Sequence, residues 1–282
     1  MASLLEIAGP YATYFIALLL TLPRLYAFLG ASQLLNASAV PGLPRVAAIL
    51  VLAIVAVPIT LEHATAFDRT VLAFSLYFAK EYAIGFLAGH VVGRMFWVVQ
   101  AVGGLIDSQR GTAIAASIDP LQGEESSSLG NLLSQAFLTY IFTTGGFLLV
   151  LGVLYRSYAL WPATRALPII AESFPAMFLG LLDSAMRLAF VSAAPILAIM
   201  FLAEFALAII SRFAPQIQVF VLAMPIKSMI AILVLIFYFS RLLPFADQQL
   251  ASVEGQMRQL YGILTSGDRI ELPRRTTPPV QP

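Results

Sequence analysis

Residues 71–102 read VLAFSLYFAKEYAIGFLAGHVVGRMFWVVQAV. A helix of about 32 residues rises nearly 50 Å at 1.5 Å per residue, whereas a bilayer core of about 30 Å needs only about 20 residues. A transmembrane barrel strand would be about 10 residues with strict alternation of polar and apolar side chains. The run is therefore helical, and it must tilt, kink or protrude. It predicts an all-α protein of long, kinked membrane helices.

The rest of the chain agrees. Of 282 residues, 60% are hydrophobic and 11% are charged, with a mean hydropathy of +0.88. Soluble domains carry about 25% charged residues and need that polar cover at their surface. Five further apolar segments flank the long run: Tyr11–Leu29, Val46–Ile59, Leu129–Leu154, Met177–Ile210 and Ile217–Leu243. The second is short for a span and closes at Pro58. Pro195 and Pro225 lie inside apolar segments and are expected to kink them. From Pro244 onward the chain is polar and ends in PRRTTPPVQP, which reads as a disordered tail. The N-terminus has no basic region and carries Glu6, so no cleaved signal is expected. Lys and Arg counts lean the 155–176 connection and the tail to the cytoplasm and the 103–128 connection outward, although Arg45 and Arg212 fit that topology poorly.

A net charge of +1 gives no electrostatic case for nucleic acid, and with no cysteine there is no thiol chemistry. Hydrolase, zincin and nucleotide-binding motifs are missing. His63 and His90 belong to no metal-binding or catalytic pattern. The reading calls for no enzyme, no metal and no cofactor.

Gly85, Gly89 and Gly93 recur every four residues, a ridge without side chains that lets another helix come close. It serves either ordinary helix packing or a subunit contact. Charges inside the apolar segments are Arg24, Lys80, Glu81, Arg94, Asp183, Arg187, Glu204 and Lys227. Such charges face the protein interior or a water-filled cavity. Asp183 and Arg187 are spaced to pair on one helix face. If RFAPQIQ, with Arg212, Pro215 and Gln216, is a hairpin tip, Glu204 and Lys227 fall at equal depth on antiparallel helices. They then form a buried ion pair or face separate surroundings.

After the long run comes GGLIDSQRGTAIAASIDP, residues 103–120. Gly103 and Gly104 are expected to loosen the helix end, and Asp119-Pro120 is a turn signal. Ser126, Ser127 and Ser128 are N-cap candidates for the next helix, with Glu124 and Glu125 near its positive end. The segment reads as a compact loop of small residues. Irregular backbone at membrane depth must be buried or line a cavity. On physical grounds it is either a gate element or a plain connector.

GGLIDSQRGTAIAASIDPLQGEESSSLGNLLSQ, GGFLLVLGVLYRSYALWP and RFAPQIQVFVLAMPIKSMIAI together resemble the FliR/SctT (SpaR, HrcT) family of type III secretion export apparatuses. IDSQRG and YRSYALWP are more similar to its injectisome branch than to its flagellar branch. The resemblance implies a FliP-like part over residues 1–176, a FliQ-like hairpin over 177–243 and a polar tail over 244–282. It implies a structural pore subunit in the bacterial inner membrane that passes unfolded proteins. Its partners would be SctR-type (FliP-like) and SctS-type (FliQ-like) gate subunits and an SctU-type (FlhB-like) switch protein. Residues 103–123 would act as a plug, with Asp107, Gln109, Arg110, Gly111, Asp119 and Pro120 as its candidate residues. It also warns that helices of this family are raised above the bilayer plane. The competing expectation is a secondary transporter or channel whose charged site is built from Glu81, Arg94, Glu204 and Lys227.

Overall fold

The computed structural model describes residues 2–35, 40–65, 70–111, 127–161, 173–213 and 219–266. Seven helices run through them: α1 (Ala2–Ala31), α2 (Gly42–Thr65), α3 (Val71–Arg110), α4 (Ser128–Thr143), α5 (Gly146–Leu160), α6 (Phe174–Phe213) and α7 (Val219–Ser266). The chain is an all-α polytopic membrane protein. Among the described residues, four helical stretches are long and apolar enough to cross a bilayer: Tyr11–Ala31, Gly42–Leu61, Phe74–Arg110 and Phe174–Phe213.

The sequence reading gave six segments, and two of them change character. Leu129–Leu154 is not one helix. α4 and α5 meet at Thr144–Gly145 with a bend of 77°, so they count as a fifth crossing only as a broken pair. The chain turns because Gly145 takes φ +79°, a left-handed conformation open to a residue without Cβ. The sixth segment includes the apolar helical stretch Leu222–Phe237. Its helix nevertheless runs through Pro244, where the reading set the start of the polar tail, and on to Ser266. Val253, Met257, Leu260 and Tyr261 on that extension are buried in the main core. The expected disorder therefore does not begin at Pro244. A buried stripe at helical spacing supplies the packing that stabilises the extension. Pro58 likewise lies inside α2 and does not end it.

α3 is the axis of the molecule and touches α1, α4, α6 and α7. The glycine ridge explains how close α1 comes. A Cβ at Gly85, Gly89 or Gly93 would run into the backbone of Arg24, Phe28 or Ala31, respectively. Gly103 does not loosen the helix end, because α3 continues to Arg110. A Cβ at Gly103 would strike the backbone of Leu129 and Gly130, so this glycine lets α4 cross α3 at backbone contact. Around these crossings Phe28, Ile84, Val92, Phe96, Leu133 and Phe137 form one core. Phe96 meets Phe137 edge-on with ring centroids 5.1 Å apart. Only 17% of the apolar window of α2 and 22% of that of α6 is buried within the chain, so both helices leave wide apolar faces for lipid or neighbouring subunits.

Candidate functional site

The last turn of α3 carries Asp107, Gln109 and Arg110, and the helix ends at Gly111 with φ +85°. The i,i+3 spacing brings the Arg110 guanidinium to 2.8 Å from Asp107 Oδ1. Asp107 Oδ2 accepts from Ser127 Oγ at 2.7 Å and from the Leu129 amide at 2.9 Å. That amide is one of the donors that the first turn of α4 cannot satisfy internally, and a carboxylate there also complements the helix dipole. Ser127 is the N-cap of α4, and its Oγ accepts from the Gly130 amide at 2.8 Å. One buried carboxylate thus ties the last turn of α3, before the 112–126 stretch, to Ser127 and Leu129 after it.

The same turn is tied to the hairpin of α6 and α7. Arg110 Nε donates to Ser228 Oγ at 3.3 Å, and Gln109 Nε2 donates to Glu204 Oε2 at 3.2 Å. Lys227 Nζ lies 2.8 Å from that same Glu204 oxygen; the Lys227 side chain is 11% exposed and that of Glu204 is 50% exposed. The pair is therefore half-open rather than enclosed. The Gly111 backbone packs beside Met224 of α7. Asp107, Gln109, Arg110, Gly111, Glu204 and Lys227 thus form one neighbourhood. Asp119, Pro120, Pro215 and Gln216 lie outside the described residues. Arg212 sits in the last turn of α6, where a cation complements the helix dipole.

Reversing either Glu204 or Lys227 alone is expected to destabilise the α6–α7 hairpin, and Glu204→Lys combined with Lys227→Glu to restore it. The Gln109 carboxamide can then present its oxygen to the new lysine. Thermal unfolding of the purified assembly reads this. Equal stability for single and double variants would mean that the pair contributes nothing.

The other buried charges gather elsewhere. Arg24 and Glu81 are both fully buried, and Arg24 Nε lies 2.6 Å from Glu81 Oε2. Lys80 Nζ lies 3.2 Å from Glu81 Oε1. Arg24 also donates to Ser157 Oγ and to the Trp161 carbonyl, and its guanidinium lies 4.5 Å from the centre of the Tyr158 ring. This cluster joins α1 and α3 to the end of α5. Arg94 donates to Ser184 Oγ at 2.7 Å. His90 lies among the Phe86, Trp97 and Phe178 rings, an aromatic packing position. Asp183 and Arg187 lie 3.9 Å apart and are largely exposed. The four residues of the competing transporter site therefore fall in three places along α3, each about 20 Å from the next at 1.5 Å per residue. They do not converge on one ligand.

Sequence reasoning singled out Asp107 and Arg110. It missed Ser184, Ser228 and Met224 as partners. The serines are short polar residues in apolar runs, and only the helix crossings give them a role. The Ser-rich run was a visible signal for the N-cap, but nothing local joins it to Asp107.

Residues 15–253 match the model of the family described as bacterial export proteins, family 1. Yop proteins translocation protein T of Yersinia pestis is 40% identical over 189 residues, covering 67% of this chain and 72% of that protein. Surface presentation of antigens protein SpaR of Salmonella typhimurium is 34% identical over 211 residues, covering 74% and 78%. Flagellar biosynthetic protein FliR of Bacillus subtilis is 30% identical over 231 residues, covering 79% and 85%. The family match takes in the α1–α3 glycine contacts, the α3–α4 crossing and the α6–α7 hairpin, and ends within the α7 extension at residue 253; the chain belongs to the FliR/SctT family of bacterial export proteins.

Proposed function

We propose that this chain is a structural pore subunit of a type III secretion export gate in the bacterial inner membrane. It passes unfolded proteins and performs no catalysis of its own. Relatives named for Yop translocation and antigen presentation are 40% and 34% identical, against 30% for the Bacillus flagellar relative, which favours the injectisome branch. The wide apolar faces of α2 and α6 suit a subunit enclosed by others. Those partners are SctR-type and SctS-type gate subunits and an SctU-type switch protein. Residues 1–176 serve as a FliP-like part. The hairpin that begins near Met177 serves as a FliQ-like part, with the segment beyond 243 continuing its second helix.

Residues 103–123 act as the plug. The observation that carries this is the Asp107 clamp, which joins the last turn of α3 to the start of α4 by short polar bonds at the edge of the core that holds Ile106 and Leu129. Opening that breaks these bonds beyond Asp107 leaves Ile106 and Leu129 in the core, as a low-cost gating motion requires. Deleting residues 110–117 is expected to leave assembly intact and make the membrane leaky to small solutes. Asp107→Ala, which frees one flank from the other, is expected to give a smaller leak. Solute flux into vesicles carrying the assembled complex is the measurement. Wild-type flux from an assembled deletion variant would end the plug reading.

A further inference from the structure

The α4–α5 elbow has no local reason to hold one angle. Its turn reads Thr143-Thr144-Gly145-Gly146, two β-branched residues followed by two glycines. Glycine has the widest choice of backbone conformations, and neither residue type favours a continuous helix. Near the turn the two arms meet through Phe142 stacked on Phe147, with ring centroids 4.6 Å apart. Their packing anchors lie to either side. Phe137 of α4 meets Phe96 of α3, and Tyr158 near the end of α5 donates to the Thr21 carbonyl of α1. Between these anchors Thr143, Thr144 and Gly145 are exposed. A hinge of a few permissive residues takes its angle from whatever else touches it, so the 77° bend must be set by a contact from outside the two arms.

That contact comes from α7 past Pro244. Asp247, Leu250, Glu254, Met257 and Tyr261 follow one another at alternate steps of three and four residues, which sets them along one face of the helix. This face runs over both arms. Tyr140, close to the end of α4, donates to Asp247 Oδ2 at 2.9 Å. Leu250 seats on the turn itself, where a Cβ at Gly146 would lie 2.6 Å from Leu250 Cδ2. Arg156 of α5 lies 3.3 Å from Glu254 Oε1. Met257 and Tyr261 line a cleft with Val153 of α5. One stripe thus meets α4, the turn and α5 in that order. We propose that α7 beyond Pro244 is a strap that holds the α4–α5 elbow bent, and that the elbow is a hinge whose angle follows this strap. Moving one helix end then changes the angle between α4 and α5 while the crossings on α3 stay packed. This device is independent of whether residues 103–123 close a channel.

The chain has no cysteine, so pairs of spin labels can be introduced without background. Gln135 of α4 and Ala159 of α5 are exposed and suit Gln135→Cys and Ala159→Cys. With the 77° bend their Cα atoms lie about 28 Å apart at 1.5 Å rise per residue, against about 36 Å for a straight helix. A reference pair, Gln135 with the exposed Ala79 of α3, reports whether α4 stays docked on α3. Pulsed electron spin resonance on the full chain in its purified assembly reads both distances. Asp247→Ala, Leu250→Ala and Glu254→Ala together should broaden the Gln135–Ala159 distribution about twofold and extend it toward about 36 Å, with the reference pair unchanged. An elbow distribution equal to that of the parent chain overturns the proposal. If the triple variant shifts the reference pair as well, Leu250→Ala alone decides, because it removes only the contact at the turn. A broadened elbow with an intact reference then supports the strap. An unchanged elbow, or one that moves only together with the reference pair, overturns it. None of these results bears on the solute leak that tests the plug.

Discussion

Glu81→Ala is expected to remove most folded protein from the membrane. Glu81 is fully buried and is the acid that holds both Arg24 and Lys80. Without it, two cations on neighbouring helices face each other in the core. Breaking a buried pair costs about 3–5 kcal/mol because the remaining charge is uncompensated, and the fully buried Arg24 then keeps only neutral partners among the described residues. That approaches the whole stability of an ordinary domain, roughly 5–15 kcal/mol. The cluster also fixes the end of α5, since Arg24 holds Ser157 and the Trp161 carbonyl while Tyr158 donates to the Thr21 carbonyl at 2.7 Å. Accumulation and thermal stability of the detergent-extracted chain measure the effect. Replacing Arg24, Lys80 and Glu81 together with methionine should be far milder than Glu81→Ala, because the cations that Glu81 holds are removed with it. If the triple variant is as unstable as the single one, the cluster acts through packing rather than charge.

The second large effect is expected at the glycine ridge. Gly89→Val places a Cβ 2.5 Å from the Phe28 carbonyl oxygen and 2.9 Å from its Cα. Backbone cannot rotate aside as a side chain can, so α1 must move off α3. Overpacking of this kind costs about 1–3 kcal/mol, and more where the obstacle is rigid. The separation would also pull Arg24 away from Glu81, because both pairs lie on the same helix crossing. Gly152→Ala is the matched control. A Cβ there meets nothing within 4 Å, and the change removes a mid-helix glycine, so stability should rise by about 1 kcal/mol or less. Melting temperatures of the two variants should move in opposite directions. A tolerated Gly89→Val would mean that the two helices do not need this approach.

The ridge shows how much of the architecture was legible. Gly85, Gly89 and Gly93 announced a close helix contact by their spacing, and α1 makes that contact within the same chain. Gly103 gave the opposite lesson. Read locally, a glycine pair before a polar stretch loosens a helix; in the structure Gly103 is a crossing point, and α3 continues for two more turns. Local sequence does not tell a glycine that frees the backbone from one that admits a neighbour. At the clamp, Asp107 and Arg110 stood out only as candidates within a stretch read as a loop, and their i,i+3 pairing arises because α3 continues through them. The bond from Asp107 to Ser127 spans twenty residues and exists because Gly103 and Gly130 bring α3 and α4 together.

The sequence by itself determined that this chain is all-helical and that it belongs in a membrane. Those properties follow from composition and from the length of its apolar runs, which act residue by residue. Tertiary structure alone decided which charges meet. It grouped Arg24, Lys80 and Glu81, fastened Asp107 to Ser127, set Glu204 beside Lys227 and placed Arg94 against Ser184. Charge partners are chosen by helix crossings, and those crossings depend on side chains being small enough, far apart in the sequence, for two backbones to touch.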